Sequence, residues 1–197
     1  MGGTVADQGA DTQLMAWALD YLRRFDVTRQ RLRQHLLKKA TRSAALRSRW
    51  GHVEPDPELD EDAAPHELRE RVDAVLGELE RRRLLDDRRH AEARLTSLQA
   101  RGLAPAVARA RLRQQGVSAS VIAGAEASVH DDAGETPREA ALSAAWAAAR
   151  RRGFGPFRAD AQRGDERDRD LAKLLRAGHA FEHVRAVIDA PTVDGVH

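Results

Sequence analysis

The sequence predicts an all-α protein, and three observations carry that prediction. Alanine, leucine, arginine and glutamate dominate a chain in which β-branched residues are sparse, and these four are strong helix formers. Apolar residues return every three to four positions, while no period-2 run of any length occurs. Glycine and proline punctuate the periodic stretches where helices would stop or start.

The first twelve residues are small and polar and are expected to be disordered. From Gln13 the spacing Leu14, Ala18, Tyr21/Leu22 and Phe25 predicts a first helix over 13–25. Thr28 is a capping residue for a second, with Leu32, Leu36 and Leu37 on its apolar face and an end near Ala40. The periodicity then stops. Residues 41–64 hold Trp50-Gly51, two prolines and six acids between Glu54 and Asp62, and read as a solvated insertion. Pro65 opens a third helix, whose inward face is Leu68, Val72, Val75/Leu76 and Leu79.

A fourth helix starts at Asp86/Asp87 and ends at Gly102, a left-handed capping position. Pro105 begins a fifth that Gly116 terminates, and Ser118 caps a sixth carrying Val121, Ile122 and Ala125. Asp131–Gly134 reads as a loop. Thr136-Pro137-Arg138-Glu139 is a capping box with proline at the first helical position, so a seventh helix runs through Leu142, Trp146 and Ala149 to Gly153. GFGP and the polar stretch to Asp168 break the chain again. Two short helices close it, Leu171–Ala177 before Gly178 and Phe181–Asp189 before Pro191.

The order suggests an internal repeat. LRQQGVSASVI (112–122) aligns with LLRAGHAFEHV (174–184), which superposes Gly116 on Gly178, Leu112 on Leu174 and Ile122 on Val184. LLKKA (36–40) holds the equivalent place earlier, with Ala40 where glycine stands. The expected organisation is therefore a disordered start (1–12), repeat 1 (13–85, containing the 41–64 insertion), repeat 2 (86–130), repeat 3 (135–190) and a tail (191–197). Three tandem three-helix repeats in a line form an elongated, curved rod.

Net charge is only +2, but of the 33 basic residues only Lys38, Lys39 and Lys173 are lysines. Residues 81–113 carry ten arginines against Asp86, Asp87 and Glu92, a local balance of +7 that leaves −5 elsewhere. That asymmetry points to an anionic partner for the middle of the chain. Cysteine is absent, the N-terminus has neither a basic start nor an apolar stretch, and no apolar run approaches a membrane span. A reducing, cytoplasmic setting and no membrane association are expected.

Catalytic signatures are missing: there is no phosphate-cradling glycine loop, nucleophile elbow or HExxH sequence, and no cofactor is implied. Gly153-Phe154-Gly155-Pro156 reads as a helix stop. His179 and His183 flank Glu182 at metal-sharing spacing, but without a third ligand they read as an exposed pair. Asp86 and Asp87, adjacent on a helix, do not face each other as paired catalytic carboxylates do. The stretch 105–125 is helix, glycine turn, helix, as in helix-turn-helix readers of duplex DNA. The same turn recurs at Gly178 without basic residues on the next helix, as expected of a generic turn within one module.

The stretch LLDDRRHA (84–91) resembles the [GY]-L-D-D-x-x-F-A signature of the RecX family, regulators of the RecA recombinase. ALDYLRRFDVTRQRL (18–32), GLAPAVARARLRQQGVS (102–118) and LLRAGHAFEHVRAVI (174–188) are similar to that family's opening, middle and closing motifs, in the correct order over roughly 13–190. Leu85, Asp86, Asp87, Ala91, Gly116 and Gly178 fall on the structural signature. His90 and His179 stand where phenylalanine is usual, Arg31 where a capping glutamate is, and Gln115 where lysine is.

The resemblance implies a rod of three repeats that lies in the groove of the RecA filament on single-stranded DNA and suppresses ATPase, strand exchange and coprotease activity; a non-enzymatic monomer that binds naked DNA weakly is expected. A stand-alone helix-turn-helix DNA-binding protein and a helical interaction scaffold are the alternatives. Candidate contacts to RecA or DNA are Arg81, Arg82, Arg83, Arg88, Arg89, Arg94, Arg101, Arg109, Arg111 and Arg113, with Arg150, Arg151 and Arg152 as a second patch. Arg81–Arg83 at a helix C-terminus and Asp86/Asp87 at the next N-terminus each complement a helix dipole. Arg88 and Arg89, in a first turn, do not, and most need an anionic partner.

Overall fold

A computed structural model of the chain describes residues 5–43 and 64–191. Among them are nine α-helices, a 3₁₀ turn and no strand. The helices are α1 (Val5–Leu22), α2 (Arg29–Arg42), α3 (His66–Arg81), α4 (Asp87–Ala100), α5 (Pro105–Gln114), α6 (Ala119–Ala133), α7 (Pro137–Arg152), α8 (Asp160–Arg176) and α9 (Phe181–Ile188), with the 3₁₀ turn at Gly155–Phe157. None of them is long and apolar enough to cross a membrane. The acidic stretch Glu54–Asp62 and Trp50-Gly51 lie outside the described residues.

The chain divides into two compact units, Met1–His90 with Gln115–Val117 and Ala91–Gln114 with Ser118–His197. In the first, α1, α2 and α3 pack on one another. Their shared core is leucine-rich: Leu14, Leu32, Leu36, Leu68, Leu76 and Leu79 are essentially inaccessible. Tyr21 stacks on His35 with ring centroids 3.9 Å apart. Arg29 and Arg33 of α2 reach Asp73 of α3 at 3.4 and 3.1 Å, pinning the two helices at their polar margin.

In the second unit, α7, α8, α9 and the 3₁₀ turn surround Ala145, Ala149, Phe154, Leu174, Val184 and Ile188. Trp146 meets Phe157 edge to face at 5.9 Å. Asp170, only 1% exposed, accepts from both arms of the Arg158 guanidinium at 2.8 and 2.9 Å and from the Gly155 amide at 3.3 Å. Both of its oxygens accept hydrogen bonds, which is the condition under which a carboxylate tolerates burial.

Helix starts follow their caps. The Thr28 hydroxyl accepts from the Arg31 amide and Ser118 from Val121, while Thr136 and Glu139 form a complete reciprocal capping box. Helix ends share one device. At the ends of α3, α4, α6, α7 and α8 the cap or the residue just past it is left-handed, and the amide after the left-handed residue bonds the carbonyl five residues back, as in Leu103 to Leu98 and His179 to Leu174. Glycine supplies that conformation at 102, 134, 153 and 178; at the end of α3 it is Arg83, with φ of 57°.

Four expectations need correction. The first helix begins at Val5, because Ala10 is buried against the core and Asp11 reaches Arg71 at 3.4 Å, so residues 5–12 are no loose tail. It also ends at Leu22, short of Phe25, which is 52% exposed. The second helix does not stop at Ala40: without glycine there it continues to Arg42, burying Ala40 and Thr41, and Ala64 at the far side of the insertion is buried too. Asp131–Ala133 are helical, Gly134 being the capping residue. The polar stretch before Asp168 is not a break but the first half of α8, which gains Arg158–Asp170 and a two-pronged Arg167–Asp189 ion pair.

Candidate anion-binding surface

Residues 84–90 of the signature stretch lie in the first unit. Leu85 is buried. Asp86 caps its own helix, its Oδ1 accepting from the Arg89 amide at 3.0 Å. Asp87 Oδ1 instead accepts from the backbone amide of Arg29 at 2.7 Å, capping α2. His90 is buried with Nδ1 at 2.9 Å from Asp26 Oδ2 and Nε2 at 3.2 Å from Gln115 Oε1. The Thr28 hydroxyl closes the cluster by donating to the Gln115 carbonyl at 2.5 Å. A Cβ on Gly116 would lie 2.3 Å from Gln30 Cβ, so glycine at 116 is required by contact as well as by its φ of 83°.

Sequence reading had found Leu85, Asp86, Asp87 and Gly116 but not Asp26, or the pairing of His90 with Gln115. No local signal exists, since Asp26 and His90 are 64 residues apart. The two departures from the family pattern at 90 and 115 are thus hydrogen-bonded to each other.

The candidate arginines differ in exposure and in the acids they meet. Arg81 and Arg82 both bind Glu78, at 2.5 Å each, and hold its carboxyl below the usual carboxylate range. Arg83, Arg88 and Arg89 are exposed around the joint. In the second unit Arg109 pairs with Glu126 at 3.0 Å, Arg94 is half-buried, and Arg113 and Arg150 are exposed.

Arg101, Arg111, Arg151 and Arg152 are brought together. They line a cleft of about 360 Å³ with Gly102, Leu103, Val107, Ala148 and Ala177, and no acidic residue borders it. The Gly102 turn that ends α4 lies against α7, where a Cβ would come within 2.3 Å of the Ala148 amide nitrogen. Arg151 Nη1 donates to the Arg101 carbonyl at 2.8 Å, orienting one guanidinium while leaving its other donors available.

The pair His179 and His183 is not exposed, as the sequence had suggested, but buried at 5% and 8%. Their turn packs inward: Gly178 approaches Val107 and Ala104, and His179 bonds the Gly102 backbone. Burial above all, then the charges of Arg152 and His183, push the His179 ring below its ordinary value, against that bond. Its Nε2 has no partner, and His183 Nε2 sits 3.3 Å from Glu182 Oε1 without hydrogen-bond geometry. No three potential metal ligands cluster among the described residues.

Fold and surface together describe a helical protein with a cleft lined by four arginines and by no acidic residue. The chain is 33% identical over 180 residues, 91% of its length and 86% of the relative's, to the regulatory protein RecX of Myxococcus xanthus strain DK1622. It belongs to the RecX family. No protein-family model matches the chain, and no solved structure matches it significantly.

Proposed function

We propose that this protein regulates the RecA recombinase by occupying the groove of the RecA filament on single-stranded DNA, suppressing ATPase, strand exchange and coprotease activity without catalysis of its own. The observation that carries the reading is family membership along nearly the whole chain. It is supported by open arginines of a kind that suits a groove lined by protein acids and DNA phosphates. In this reading the chain acts as a cytoplasmic monomer, its α1–α3, α4–α6 and α7–α9 helices serve as the three tandem repeats of an elongated, curved binder, and its affinity for naked DNA is weak. The glycine turns at 116 and 178, both left-handed and preceded by buried Leu112 and Leu174, support the repeat.

The test is RecA-catalysed ATP hydrolysis on single-stranded DNA with increasing amounts of the purified protein. Hydrolysis should slow at equimolar or lower ratios. Unchanged rates, combined with tight sequence-dependent binding to duplex DNA, would replace this reading with that of a helix-turn-helix reader built on 105–125.

A further inference from the structure

We propose that the recess bounded by Arg101, Arg111, Arg151 and Arg152 is a phosphate site for the backbone of single-stranded nucleic acid, contacted by this chain directly. The proposal deepens the filament reading and takes its biological setting from it, but its chemistry rests on the recess. Four arginines line one concavity and no acidic residue is among its lining, so an anion entering it meets concentrated positive charge. Among the candidate arginines Arg81, Arg82 and Arg109 find carboxylates, and these lie outside it.

Size and lining select the ligand. A volume of about 360 Å³ exceeds what one carboxylate fills, and the filament reading supplies a single strand rather than a duplex as its occupant. The remaining wall is Leu103, Val107, Ala148 and Ala177 above the Gly102 turn. It has no aromatic ring on which a base would stack and no amide side chain to read one, so binding is to the backbone and indifferent to sequence. Guanidinium forks match tetrahedral oxyanions by paired hydrogen bonds, and Arg151 is already oriented by the Arg101 carbonyl.

The experiment is fluorescence anisotropy of a labelled oligothymidylate of about 16 nucleotides with the full chain, without RecA, across a salt series. The triple variant Arg101→Gln/Arg111→Gln/Arg152→Gln should bind about tenfold or more weakly, and its slope of log affinity against log salt should shrink by about 2. Arg138→Gln/Arg169→Gln, at exposed arginines paired with Glu182 and Glu166, should match the wild type. Inorganic triphosphate should displace the strand, and a glutamate peptide of equal charge should not.

Undiminished binding by the triple variant, an equal loss in the control, tighter binding to duplex than to single strand, or equal competition by the glutamate peptide would each overturn the proposal. The three residues are exposed, so the helical circular-dichroism spectrum should persist; if it does not, Arg111→Gln alone is read the same way, with a slope change of about 0.7. Loss of strand binding in the wild type with ATPase suppression retained sinks this site alone. Strand binding without any effect on RecA sinks the filament reading alone.

Discussion

Asp87 caps a helix it does not belong to: its carboxylate accepts the Arg29 amide at 2.7 Å across 58 residues of sequence. The Arg29 side chain meanwhile turns to Asp73 and Glu80 of α3, so one residue ties α2 to two neighbours. Two adjacent aspartates at the joint thus do different work, Asp86 on α4 and Asp87 on α2. Asp87→Ala should therefore cost about 1–2 kcal/mol, measured by urea unfolding. Asp87→Asn, which keeps the acceptor, should lose clearly less; equal losses would mean that the cap is not the source of the effect.

Arg83 stands where the other four helix ends of this type use glycine. A left-handed conformation costs a residue bearing a Cβ about 1–2 kcal/mol relative to glycine, partly offset by glycine's freedom in the unfolded chain. Arg83→Gly should accordingly raise stability by about 1 kcal/mol, whereas Arg83→Ala should leave it nearly unchanged. A fall in the urea midpoint of Arg83→Gly would show that the Arg83 side chain contributes more than its backbone strain removes.

His179 makes stability depend on pH in a stated direction. Burial lowers its folded pKa below the ordinary 6.5, so as pH falls past that value the unfolded ring takes a proton before the folded one does. The unfolded state then binds more protons, and stability declines with acidification. The contribution is complete above pH 6.5 and is lost as pH falls through the folded value. His179→Phe, which removes the unpartnered Nε2, should narrow the gap between urea midpoints at about pH 7.5 and about pH 5.5. An unchanged gap would assign the pH dependence to another group.

Asp170 carries the largest expected loss. Truncating it to alanine leaves Arg158, 18% exposed, and the Gly155 amide without their acceptor, a change of the kind that costs about 3–5 kcal/mol. Asp170→Ala should lower the thermal midpoint far more than Asp168→Ala, whose side chain is 94% exposed. Comparable shifts would mean that the buried pair contributes little.

Helix boundaries were legible wherever their cause was local. Thr28, Ser118, Thr136 and the terminating glycines satisfy or bend their own backbone within a few residues, so composition and spacing suffice to place them. Where the cause was distant, reading failed. The first half of α8, DAQRGDERDRD, looks like a loop because few of its residues are apolar; the ion pairs of Asp170 with Arg158 and of Arg167 with Asp189 reach outside the segment. His179 and His183 read as exposed because nothing nearby in sequence shows that Gly102 and Val107 cover the Gly178 turn.

By itself the sequence determined the helical class, most of the turns, the family and the excess of arginine in the middle of the chain. Only the tertiary structure decided which arginines are open. Arg101 and Arg111 meet Arg151 and Arg152 because α4 ends on a glycine that lets its turn lie against the α7 backbone, while Arg81, Arg82 and Arg109 meet acids instead. Charge along a chain is additive and can be counted, but its compensation depends on which side chains fall within a few ångströms, and that distance is set by packing.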